Sequence, residues 1–202
     1  DSFTFKVNDG TVDSDAATVT INITAVNDKP VATAQTVTAT EETAKTITLA
    51  GTDADGDTLS YIVSSLPTNG TLADNGTAIT SDDLPKTTSG TDVVYTSTSD
   101  TATSDSFTFK VNDGTVDSDA ATVTINITAV NDKPVATAQT VTATEQTEKE
   151  IILAGTDADG DTITYIVSSL PSNGTLSDNG TVITSDDLPK TTTGTDVNYI
   201  ST

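Results

Sequence analysis

Two seven-residue segments hold most of the side chains that could do chemistry. Gly51-Thr52-Asp53-Ala54-Asp55-Gly56-Asp57 recurs as Gly155 to Asp161. The first places the carboxylates of Asp53, Asp55 and Asp57 at alternate positions, and the second does the same with Asp157, Asp159 and Asp161. Each has a glycine for a sharp bend. Hard cations gather several oxygens at about 2.3–2.6 Å, so the spacing suits a calcium loop. A plain turn is the competing reading, because Asp and Gly favour turns for backbone reasons. Neither segment is a full EF-hand, which needs a later Glu and flanking helices; strand-like residues flank these.

Composition narrows the options. Thirty acidic residues stand against eight basic ones, all Lys, for a formal net charge of -22. Nucleic acid and anionic membrane surfaces both require a basic patch, so neither is an expected partner. No apolar stretch approaches a membrane span, and no membrane insertion is expected. The chain has no Cys, His, Met or Trp. That excludes the usual zinc sites and the Ser–His and Cys–His nucleophile pairs. Paired carboxylates could serve a glycosidase. Here the acids fall in turns, and the chain reads as a non-enzyme. It begins in mid-pattern at Asp1-Ser2-Phe3, without a signal peptide, as a window of something longer would.

Internal repetition then sets the organisation. Asp1-Ser2-Phe3-Thr4-Phe5 recurs at Asp105, an offset of 104 residues, and the first forty residues recur without change through Thr144. Later residues differ between copies at only about a dozen positions, such as Leu59/Ile163 and Thr68/Ser172. A period this long makes each repeat a domain rather than a solenoid unit. The boundary falls at Ala25-Val26-Asn27-Asp28-Lys29-Pro30 and again at Ala129 to Pro134. Residues 1–29 are then the C-terminal strands of a partial repeat, 30–133 a complete repeat, and 134–202 the N-terminal part of a further one.

The apolar residues come in short alternating runs dominated by Thr, Val and Ile, which suit a pleated, half-buried surface. Phe107, Phe109 and Val111 form one inward set, and Val123, Ile125 and Ile127 another. Ile47 with Leu49, and Leu59 with Tyr61 and Val63, form two more. Thr36–Ala39, Thr77–Thr80 and Asp92–Thr96 are shorter candidates. Asp55-Gly56, Asn69-Gly70, Asn75-Gly76 and Asp113-Gly114 mark turns. About seven short strands in about 100 residues predict an all-β chain of tandem seven-stranded antiparallel Greek-key sandwiches. In such a sandwich the end of the second strand, the turn before the last strand and the entering linker share one pole. Asp53, Asp55, Asp113 and the linker residues Asn27 and Asp28 should therefore meet at a domain junction, where unscreened carboxylates would repel one another.

At these residues the chain resembles the cadherins. Ala25 to Pro30 looks like the cadherin linker, Thr52-Asp53-Ala54-Asp55 like its DxD segment, and Val111-Asn112-Asp113-Gly114 like its turn before the last strand. Glu41 stands where cadherins carry a ligand Glu. Gly51 to Val63 and Asp105 to Thr115 resemble more closely still the bacterial cadherin-like tandem repeats, of about 95–105 residues, of large secreted adhesins and surface proteins. The resemblance implies Ca2+ at the domain junctions, held by both neighbours and the linker. It carries over Asn27, Asp28, Asp53, Asp55 and Asp113 at the first junction, and Glu41, Asn131, Asp132, Asp157 and Asp159 at the second. The cadherin Asp-Arg-Glu motif is represented by Asp100 alone, and the second linker Asn is replaced by Lys29 and Lys133. Fewer ions than a full cadherin junction are therefore implied.

The expected function is a calcium-rigidified spacer of an extracellular adhesin or surface fibre, with neighbouring repeats of the same chain as its partners. Two alternatives stand beside it. One is a filament subunit in which identical chains complement each other head to tail, since residues 1–29 and 134–202 together make nearly a whole repeat. The other is a module recognising surface glycans or a like repeat. The strand tyrosines Tyr61, Tyr95, Tyr165 and Tyr199 are expected to pack rather than to stack on sugars.

Overall fold

The computed structural model describes residues 1–202. Residues 1–29 contribute a hairpin of β1 (Ser2–Phe5) and β2 (Ala17–Thr20), paired as Phe3↔Val19 and Phe5↔Ala17. Residues 30–133 run through β3 (Val31–Ala32), β4 (Gln35–Thr40), β5 (Lys45–Thr48), β6 (Gly51–Thr52), β7 (Ser60–Val63), β8 (Gly70–Asp74) and β9 (Thr77–Ala78). They continue with β10 (Lys86–Thr87), β11 (Asp92–Ser97), β12 (Ser104–Asn112) and β13 (Ala121–Thr128). Residues 134–202 hold β14 (Val135–Ala136), β15 (Lys149–Ile152), β16 (Gly155–Thr156), β17 (Ile166–Val167) and β18 (Gly174–Asp178). β19 (Thr181–Val182), β20 (Lys190–Thr191) and β21 (Asp196–Ser201) complete the chain.

The central repeat is a sandwich of two sheets. One sheet has the order β10-β7-β12-β13-β4 and the other β5-β11-β8-β9, while β3 pairs β6 at the linker end. Alternation buries one face of each strand. Phe107, Phe109 and Val111 of β12 meet Val123, Ile125 and Ile127 of β13 within a core that also takes Ile47, Val63, Leu72, Val93 and Tyr95. All four inward sets read from the alternation reach this core or pack against it.

Three local expectations need correction. β4 pairs β13 in parallel, Val37 beside Ile125, so the sandwich is not wholly antiparallel. The first strand crosses to the last across a whole domain of intervening chain, and no local pattern reports that direction. Asn69-Gly70 is not a free turn: Gly70 opens β8, where a Cβ would overlap the Tyr95 ring and lie 2.6 Å from the Thr96 carbonyl oxygen. Glycine is there for close approach. Asn75-Gly76 does turn, with φ of 47° and 79°, as a two-residue hairpin requires. The Thr77–Thr80 candidate ends at Ala78. Asp83 then draws Thr80 into a 3₁₀ turn by accepting from its N–H (2.8 Å) and hydroxyl (2.7 Å).

Outside 30–133 the same sequence folds less completely. The copy of β4, residues 139–144, is not a strand, and β17 is half the length of its counterpart β7. Both of those central strands pair with the β12–β13 hairpin. No copy of that hairpin stands beside residues 134–202. A ladder needs its partner to satisfy backbone groups.

Candidate metal centre at the domain junctions

The acidic loop builds itself from its first carboxylate. Asp53 Oδ1 accepts the backbone N–H groups of Asp55 (2.9 Å) and Asp57 (3.1 Å), and Gly56 turns the loop at a φ of 81°. This curls the chain so that one oxygen each from Asp53, Asp55 and Asp57 lie within 4.8 Å of one another. The copy does the same with Asp157, Asp159 and Asp161, Asp157 Oδ1 accepting from the Asp161 N–H at 3.1 Å.

The linker docks on the loop. The N–H of Asp28 donates to Asp55 Oδ2 at 2.7 Å. Asn27 Nδ2 donates to Asp113 Oδ2 at 2.9 Å and to the Asp28 carbonyl at 3.0 Å. The other oxygen of Asp113 accepts the N–H groups of Thr115 (2.6 Å) and Val116 (2.7 Å) in the turn between β12 and β13. The Asn27 amide, and then those backbone donors, hold the Asp113 carboxyl below its ordinary range. The five residues expected at the first junction, Asn27, Asp28, Asp53, Asp55 and Asp113, thus lie at one pole of the central sandwich, together with the loop acid Asp57. Lys29 adds an anchor that sequence reasoning missed: its Nζ reaches Asp119 Oδ1 at 2.7 Å. The partners are ninety positions apart, and nothing local marks the pair.

The second junction gathers the complementary half. The Asp132 N–H donates to Asp159 Oδ2 at 2.6 Å, and Asn131 Nδ2 donates to the Asp132 carbonyl at 2.8 Å. Glu41, at the end of β4, accepts the Val130 N–H on Oε2 at 3.0 Å. It is only 2% exposed, and its Oε1 is buried with no hydrogen-bond partner. Asp132 is raised above the ordinary carboxylate range, first by desolvation and then by the charges of Asp159, Asp100, Glu41 and Asp157. Those four come from both sides of the linker. Asp161 lies in the same loop.

The donors are all carboxylate, amide and backbone oxygens, a set that suits Ca2+ or Mg2+ and not a soft metal. Two observations fit a cation better than bare acids. Like charges this close disfavour ionisation. Buried acceptors are normally paired, yet Glu41 Oε1 and Asp53 Oδ2 are buried and unpartnered.

The repeated sandwich with donors pooled at its linkers defines an immunoglobulin-like repeat. The bacterial Ig domain family matches residues 27–126 and 131–200, and the chain belongs to that family. The match supports an immunoglobulin-like repeat and not specifically a cadherin-like one. Integrin beta-like protein A of Dictyostelium discoideum is 30% identical over 187 residues, which is 86% of this chain and 10% of that protein. The chain therefore spans about a tenth of this relative's length. Among solved structures, a nucleoside hydrolase-related hypothetical protein from Saccharophagus degradans aligns at a TM-score of 0.38 and 15% identity, over 52% of this chain and 26% of that one. The S-layer protein rSbsC aligns at a TM-score of 0.31 and 16% identity, over all of this chain and 25% of its own. No helix is long and apolar enough to cross a membrane.

Proposed function

We propose that the chain is a calcium-rigidified spacer, a run of immunoglobulin-like repeats with the cadherin-like use of their linkers, in an extracellular adhesin or surface fibre. The observation that carries this reading is the second junction. Glu41, with its buried and half-unpartnered carboxylate, and Asp100 belong to one repeat, Asp157 and Asp159 to the next, and the charges of all four bear on linker residue Asp132. A divalent ion there would cancel the repulsion and tie the two repeats to the linker. Glu41, Asp100, Asn131, Asp132, Asp157, Asp159 and Asp161 would hold it at this junction. Asn27, Asp28, Asp53, Asp55, Asp57 and Asp113 would do so at the first. Extracellular placement is in keeping with such a site, since extracellular modules bind calcium at about 10⁻⁴–10⁻³ M. The Dictyostelium relative is named as integrin beta-like, in keeping with a surface role.

Near-identical repeats suit a spacer, which needs length rather than a unique surface. The test is small-angle scattering of the 202-residue chain in calcium and in chelator. The maximum dimension should hold to one value in calcium and spread in chelator; identical profiles would sink the reading.

A further inference from the structure

The central repeat is complete, with one linker entering it and an identical one leaving it. The sandwich holds the two unequally. On the entering side Asn27 Nδ2 donates to Asp113 Oδ2 at 2.9 Å, the Asp28 N–H to Asp55 Oδ2 at 2.7 Å, and Lys29 Nζ to Asp119 Oδ1 at 2.7 Å. Asp55 lies in the acidic loop after β6, and Asp113 and Asp119 lie in the turn between β12 and β13. Two separate loops therefore clamp the linker. Pro30 follows and is fully buried, and Val31 pairs with Thr52 in the β3–β6 ladder. Proline suits that buried position because it brings no N–H that would need a partner. The exposed Lys29–Asp119 pair contributes little by itself. With it, however, every residue from Asn27 to Val31 touches the repeat that follows.

The leaving side has no such clamp. β13 ends at Thr128, which still pairs with Thr40 and accepts the Glu41 N–H at 3.0 Å. Beyond it, the Val130 N–H donates to Glu41 Oε2 at 3.0 Å, the single hydrogen bond that the leaving linker gives to the central repeat. The Asn131 side chain turns to the Asp132 carbonyl, and the Asp132 N–H reaches forward to Asp159. The charges of Glu41 and Asp100 on the central repeat bear on Asp132. Like charges repel, so without a cation they push the linker off the repeat it leaves.

We propose that each linker moves as one body with the repeat it enters, and that a joint without its cation bends at one place, Ala129 and Val130, where the chain leaves the preceding repeat. The rigid unit is then residues 27–128. Hinges are commonly a few residues at the end of an element that absorb the change in φ and ψ, and these two stand just past the end of β13. The position of the hinge comes from the hydrogen bonds and needs no metal. What closes it rests on the calcium reading of the junction: an ion drawing Glu41 and Asp100 onto Asp132 would immobilise Val130 between them. With one hinge in each 104-residue period, a run of repeats stiffens joint by joint as cation fills the sites.

Nitrogen relaxation of the 202-residue chain, in chelator and in calcium, tests this. In chelator the amides of Asp28 and Lys29 should have the order parameter of the β12–β13 ladder, about 0.85, while those of Ala129 and Val130 fall below about 0.6. Calcium should raise Ala129 and Val130 to the ladder's value and leave Asp28 and Lys29 unchanged. Lys29→Met tells the two identical linkers apart by the resonances it moves. Combining it with Asn27→Ala removes two of the three side-chain contacts on the entering side. The double variant should loosen Asp28 in chelator and leave Val130 as it was. An Asp28 as loose as Val130 in chelator overturns the proposal, and so does a Val130 as ordered there as β13. A Val130 that stays loose in calcium while Asp28 is firm in both conditions supports the hinge and removes the calcium reading instead.

Discussion

The backbone N–H of Asp132 donates to Oδ2 of Asp159 at 2.6 Å, and 104 residues earlier Asp28 makes the same bond to Asp55 at 2.7 Å. A linker residue is thus pinned to the acidic loop of the repeat it enters, at both junctions. The bond leaves the Asp28 and Asp132 carboxylates at the junction, beside the loop acids. That geometry makes the joint sensitive to charge, and the first prediction tests it.

Glu41→Gln should act with opposite signs in the two ionic conditions. In chelator the change removes one negative charge from a buried side chain whose charge acts on Asp132, and the amide oxygen can still accept from the Val130 N–H. Like charges held close oppose one another, so the variant should match or exceed the parent in stability. In calcium it should lose about tenfold or more in affinity, because ligand charge sets the strength of such sites. Calorimetric titration and urea melts with and without calcium read both effects. A variant less stable than the parent in chelator, with unchanged calcium affinity, would contradict the assignment of Glu41.

Gly70→Ala should destabilise the central repeat by about 1–3 kcal/mol, the usual range for overpacking. The added methyl would run into the Tyr95 ring and the Thr96 carbonyl. Gly90→Ala is the control: nothing lies within 4 Å and its φ is not left-handed. It should stay within about 0.5 kcal/mol of the parent. Urea midpoints of the two variants side by side decide the matter.

Phe109→Ala and Phe5→Ala make the same chemical change in the same local sequence. Phe109 is fully buried, and its loss should cost about 3–5 kcal/mol. Phe5 is 46% exposed, and its loss should leave the main unfolding transition in place. Equal effects in dilute solution would mean that the first hairpin is packed as the second one is.

Alkali should open the central repeat at Tyr95. Burial first, and then the charge and hydrogen bond of Asp105, push its hydroxyl up from 10.0 to about 12. The folded chain therefore holds this proton over a pH range where the unfolded chain has released it. Stability falls wherever the folded state binds more protons and pH rises. The contribution is intact below pH 10.0 and is lost as pH climbs toward about 12. Tyr95→Phe should remove that slope from a series of denaturant melts. Parallel curves for the two proteins through this window would refute it.

Much of this was legible in the residues. The alternation of Phe107, Phe109 and Val111 with polar neighbours reports a half-buried strand, because period two is a property of the backbone. The pole shared by Asp53, Asp55, Asp113 and Asn27 followed from strand count and order. Other features were hidden. The Lys29–Asp119 ion pair and the Asp105 cap on Thr68, Asn69 and Tyr95 join residues far apart in sequence, and their residue types are common in turns. The parallel pairing of β4 with β13 had no local signature either.

The amino-acid sequence by itself determined the repeat length, the all-β character and which acids recur at alternate positions, since periodicity and spacing are local properties. Only the tertiary structure decided that Glu41 Oε1 and Asp53 Oδ2 end without partners, and that β4 joins β13 in parallel. Those outcomes depend on which surfaces meet, because identical side chains gain or lose their burial energy according to the neighbour the fold supplies.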